Sequence, residues 1–86
     1  MAEITNVHTY GTGTRARRAV VATIDGVIYT FERIEHGEGA TQKLSRAVYM
    51  RGLRQDRRVR YGTPEYQRIQ AEFRTLPEFA TLTAEA

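Results

Sequence analysis

Between Ala19 and Ile34 (AVVATIDGVIYTFERI) the apolar positions fall into two β-rich runs that flank the polar Asp25-Gly26. Asp-Gly between alternating apolar residues is the strongest short-range hairpin signal, because a type I′ loop needs positive φ at both central residues. With these two residues as the loop, Ile24 faces Val27, Ala22 faces Tyr29, Val20 faces Phe31 and Arg18 faces Arg33. Directly opposed side chains share a face of the sheet. Val20, Ala22, Ile24, Val27, Tyr29 and Phe31 therefore form a core wall. The other face sets Thr23 against Ile28, Val21 against Thr30, Ala19 against Glu32 and Arg17 against Ile34, a mixed and part-solvated surface.

Upstream, Glu3 to Tyr10 alternates loosely, with Ile4, Asn6, His8 and Tyr10 on one side, until Gly11-Thr12-Gly13-Thr14 breaks the run. The simplest arrangement is a three-stranded antiparallel meander over about residues 3–35. After the polar, glycine-punctuated stretch Glu35 to Gly39 the period changes. Ala40, Leu44, Ala47 and Val48 recur at helical spacing, which predicts a helix over about 40–54 laid on the sheet through Leu44 and Val48. Gly52 suits its C-cap. Tyr49, Met50 and Leu53 fall on a second apolar stripe that one sheet cannot also cover, which points to a homodimer through these three residues.

Leu53 to Tyr61 (LRQDRRVRY) reads as a frayed helix end or an extended basic loop. A second helix over about 64–76 is announced by Thr63 as N-cap, Pro64 at the first helical position and Glu65 beside the positive end of the dipole. Tyr66, Ile69, Phe73 and Leu76 give it one apolar side, and Pro77 stops it. Residues 77–86 read as a loosely held tail anchored by Phe79 and Leu82. The expected fold is α+β: a three-stranded antiparallel sheet followed by two helices packed on one face, a single small domain over residues 1–86.

Composition narrows the class without naming a function. The chain has 86 residues, is 41% hydrophobic and 27% charged, and has no cysteine, which leaves neither a disulfide framework nor a thiolate metal site. The longest apolar run is Ala19 to Ala22, too short to span a bilayer. The first residues lack the basic-then-apolar layout of a signal peptide, so a cytoplasmic location is expected.

Charge changes the picture more. Of the 13 basic residues only Lys43 is not arginine. Arg15, Arg17 and Arg18 form one cluster; Arg51, Arg54, Arg57, Arg58 and Arg60, with Asp56 the single acid among them and Tyr61 just beyond, form another. A guanidinium fork suits phosphate and carboxylate alike, and basic residues beside an aromatic ring can neutralise phosphates and stack bases. On a continuing helix Arg51, Arg54 and Arg58 would share one face. These nine residues are the candidate binding set. They point to a non-enzymatic module that engages nucleic acid or a nucleoprotein complex. A second reading makes the chain an inhibitor or adaptor, of the kind phages and mobile elements encode, that occupies an acidic or nucleic-acid-binding protein surface.

A third reading is a small metal-independent ribonuclease using His36 with Glu35, Arg33 and Tyr29 as acid–base and phosphate-stabilising groups. No zinc spacing, Walker-type loop, dinucleotide fingerprint or established nucleic-acid signature occurs, so no cofactor or metal is expected. Arg18 directly opposite Arg33 is unfavourable and calls for an acid nearby; Glu35 is placed to supply it.

Overall fold

The Asp25-Gly26 loop forms as its chemistry dictates, with both residues at positive φ (49° and 81°). The structure, a computed structural model, describes residues 2–11 and 16–83. Strands β2 (Arg17–Ile24) and β3 (Val27–His36) pair antiparallel in the register set by that loop, from Ile24 opposite Val27 out to Arg17 opposite Ile34. Val20, Ala22, Ile24, Tyr29 and Phe31 are buried on one face, and Val27 packs at its margin.

The sheet does not stop at three strands. It has five, β1 (Ile4–Gly11), β2, β3, β4 (Gly39–Met50) and β5 (Leu53–Val59), in sequential antiparallel order. The expected helix over 40–54 is thus a β-hairpin, and the three-stranded count is wrong. The three-and-four spacing of Ala40, Leu44, Ala47 and Val48 rested on two alanines, which are apolar but small. Of the four only Leu44 is fully buried, opposite Phe31 on β3 and Val59 on β5. In a strand, alternate residues share a face, so Leu44, Arg46 and Val48 lie towards the core side and Ser45, Ala47 and Tyr49 on the other. Gly52 does not cap a helix. With Arg51 (φ 53°) it forms the two-residue loop between β4 and β5, at φ 77°. A glycine at positive φ serves either role equally well, so the residue could not tell a helix end from a hairpin loop.

Strand β1 carries a bulge. Ile4 pairs with Ile24 and Thr5 with Thr23, but His8 pairs with Val21, and Asn6 within the irregularity has φ 53°. Two residues thus oppose one on β2. The bulge keeps Ile4 and Val7 against the core while His8 and Tyr10 take the opposite face, so the single side expected for Ile4, Asn6, His8 and Tyr10 is divided.

Helix α1 (Pro64–Arg74) begins where its caps place it, with the Tyr66 backbone N–H donating to the Thr63 hydroxyl at 3.2 Å. Its buried residues are Tyr66, Ile69 and Phe73. The expected tail is instead a second short helix, α2 (Pro77–Thr83), opened by Pro77. Leu82 is buried in the core, Phe79 packs on it, and an Arg18 N–H donates to the Leu82 carbonyl at 3.2 Å. Phe31 joins the layers: its ring lies 5.5 Å from Phe73 on α1 and 5.0 Å from Phe79 on α2, the latter edge-on.

The face away from the helices is concave. In a flat sheet β1 and β5 would stand roughly 19 Å apart, four strand spacings. Yet His8 and Tyr10 on β1 and Arg54 and Asp56 on β5 line one pocket, so the sheet coils strongly and brings its two edges together over that face.

Candidate functional site

Pairing sorts the arginines of the sheet into two groups. Arg17 lies on the concave side and holds Glu32 from the neighbouring strand, Nε to Oε2 3.1 Å with a second contact at 3.3 Å. Arg18, adjacent in sequence, faces the helices. It meets Glu35 at 3.2 Å, and Arg33 meets the same carboxylate at 3.6 Å, so the opposed arginines share the acid expected of them. Arg46 reaches Glu65 at the start of α1, where the Tyr29 hydroxyl donates to the same carboxylate oxygen at 3.0 Å. Burial works against the Glu65 charge. The hydrogen bonds from Arg46 and Tyr29 and the charges of Arg46 and Arg68 outweigh it and hold the carboxyl below the usual range. These guanidinium groups tie the sheet to itself and to the helices. Arg15 lies outside the described residues.

The second group stands on the β4–β5 arm. Arg51 sits in the loop, Arg54, Arg57 and Arg58 on β5, and Arg60 just after it; all are exposed. Because β5 is a strand, Arg57 points to the opposite face from Arg54 and Arg58, and the single helical face expected for Arg51, Arg54 and Arg58 does not exist. Arg54 meets Asp56 at 3.2 Å in an exposed pair, a type of contact that contributes little to stability. Arg57 donates to the Met50 sulfur at 3.6 Å. Among the described residues, no carboxylate lies within ion-pair distance of Arg51, Arg57, Arg58 or Arg60. Tyr61, 81% exposed, stands edge-on to Tyr66 with ring centres 5.1 Å apart and borders an open depression with Arg58 and Arg60.

Sequence reasoning missed the concave pocket of about 280 Å³. Val21 and Ile28 give it apolar surface and Thr23 and Thr30 give hydroxyls; Asn6, His8 and Tyr10 enter from β1, and Arg54 and Asp56 from β5. Tyr10 is half exposed, and burial and the nearby Glu32 charge raise its hydroxyl above the ordinary tyrosine range, keeping it protonated. His8 Nδ1 donates to the Asn6 carbonyl at 3.2 Å. The mixed Thr23/Ile28 and Val21/Thr30 pairs carried the only sequence signal for this face. Its walls depend on the bulge in β1 and on the existence of β5.

The ribonuclease set does not assemble. Tyr29 is engaged by Glu65, Glu35 by Arg18 and Arg33, and the His36 ring bonds the Thr41 hydroxyl at 2.7 Å. Tyr29 and His36 lie at opposite ends of β3, on opposite faces. Tyr49, Met50 and Leu53 are exposed at the arm's tip but form no single stripe: Met50 faces Leu53, whereas Tyr49 lies opposite Arg54 on the other face. Among the described residues, no three His, Asp or Glu side chains converge as metal ligands, and no helix is long and apolar enough to cross a membrane. Compared with models of known protein families, with curated proteins and with solved structures, the chain matches none.

Proposed function

We propose that this protein is a non-enzymatic binding module that holds nucleic acid through phosphate contacts to its β4–β5 arm. The supporting observation is the contrast between the two groups of arginines. Arg17, Arg18, Arg33 and Arg46 neutralise internal carboxylates, whereas Arg51, Arg57, Arg58 and Arg60 crowd one arm where, among the described residues, no carboxylate lies within ion-pair distance of them and the arm's own Asp56 is paired with Arg54. Like charges held together without compensation disfavour the free state and are relieved by a polyanion.

The same arm favours a second reading, an inhibitor or adaptor for an acidic protein surface, because Leu53 (70% exposed), Met50 and Tyr49 add apolar contact area at its tip. The test is the salt dependence of binding to generic nucleic acid, for the wild type and for Arg58→Ala with Arg60→Ala. Each lost phosphate contact lowers the slope of log affinity against log salt by about 0.7–0.9. The double variant should bind all sequences more weakly while its stability moves by no more than about 0.5 kcal/mol. If the wild type binds no nucleic acid at low salt but binds polyglutamate, the acidic-surface reading replaces this one.

A further inference from the structure

The concave pocket and the arginine arm share Arg54, which stands in the exposed β5 row and also lines the pocket. We propose that the pocket takes one unstacked nucleobase bearing an exocyclic amino group, from a single strand whose phosphates lie along the arm. The proposal rests on the nucleic-acid reading above and adds the strand form and base class.

Charge divides the site. Inside the pocket Arg54 already holds Asp56 at 3.2 Å, whereas among the described residues Arg51, Arg57, Arg58 and Arg60 have no carboxylate within ion-pair distance, so the phosphates stay with the arm and the neutral part of the nucleotide turns inward. Val21 and Ile28 offer that part apolar surface, and the half-exposed Tyr10 ring offers a stacking partner. Asp56, whose Oδ1 accepts from Arg54 Nε, keeps Oδ2 as an acceptor for an amino N–H, the contact a carboxylate makes to cytosine N4. Thymine presents no such donor. The volume, about 280 Å³, falls just below that of pockets that hold drug-sized molecules, roughly 300–1000 Å³, which suits one base and not a run of them. A paired base cannot enter without leaving its stack, so duplex is disfavoured.

The experiment measures wild-type affinity for equally long oligo-dC, oligo-dT and abasic strands and for duplex, at one low salt concentration. Oligo-dC should bind about tenfold tighter than the abasic strand, and several-fold tighter than oligo-dT. Asp56→Ala should erase the dC-over-dT preference while overall affinity holds or rises, since a negative charge is lost; a merely structural Asp56 would instead weaken every strand alike. Thr30→Phe, which fills the pocket, should bring oligo-dC down to the abasic level. Salt-dependent binding with equal affinity for dC and abasic strands overturns the pocket proposal and leaves the phosphate arm standing, as does a dC preference that survives Asp56→Ala. Absence of binding to any strand overturns the nucleic-acid reading itself, and the pocket proposal with it.

Discussion

Replacing Phe31 with alanine tests whether the sheet and both helices are held by one joint. The ring is fully buried and touches three aromatic partners: Tyr66 and Phe73 on α1, with ring centres at 6.2 and 5.5 Å, and Phe79 on α2 at 5.0 Å. Phe→Ala in a core typically costs about 3–5 kcal/mol, the lost transfer energy plus the cavity left behind. The upper half of that range applies here, because aromatic pairs add about 0.5–1.5 kcal/mol beyond area alone and β3 is the central strand of the sheet. A domain of this length has a total stability of roughly 4–13 kcal/mol, so the variant should lose a third of it or more. With a urea m-value of roughly 1–1.5 kcal/mol/M, the midpoint falls by about 3 M. The assay is urea unfolding followed by circular dichroism and tyrosine fluorescence, the chain having no tryptophan. Phe31→Leu, which keeps most of the apolar volume, should lose less than half as much. A loss below about 1.5 kcal/mol for Phe31→Ala at unchanged m would show that Phe31 is not the joint.

Two further predictions test other parts of the architecture. Deleting residues 77–86 removes Phe79, Leu82 and the carbonyl that Arg18 bonds; two apolar side chains of that size stabilise by about 1.5–3 kcal/mol each, so the melting temperature should fall by well over 10 °C, and an unchanged value would return α2 to a loose tail. Glu65→Gln tests the link between α1 and the sheet: because the folded-state carboxyl lies below its ordinary value, its contribution is complete above the unfolded pKa of about 4.3 and fades as pH falls through the folded value. Wild type and variant should therefore differ at neutral pH and converge in acid, whereas a constant gap would mean the charge is not what Glu65 contributes.

Locally encoded features were legible in the chain. Asp25-Gly26 fixes the conformation of two residues, and period-two alternation then carries the consequence to Val20, Phe31 and Arg18 without reference to any other part of the molecule. Thr63-Pro64-Glu65 is equally local, since a cap bonds to backbone within one turn. The ion cluster of Arg18, Arg33 and Glu35 followed from the same register, because cross-strand neighbours are fixed once the loop is fixed.

Tertiary structure decided what local pattern left open. Residues 40–54 satisfy a helical spacing and a strand spacing together, and the choice between them rests on the free edge of β3, whose backbone groups need partners that a helix cannot supply. Once β4 pairs there, the arginines of residues 54–58 alternate between two faces instead of lining one. The concave pocket depends still more on long-range geometry. His8 and Tyr10 reach Arg54 and Asp56 only because a bulge turns β1 and the coiled sheet carries its first strand round towards its fifth. No sequence window holds that information, since twist accumulates strand by strand and shows itself only when all five are in place.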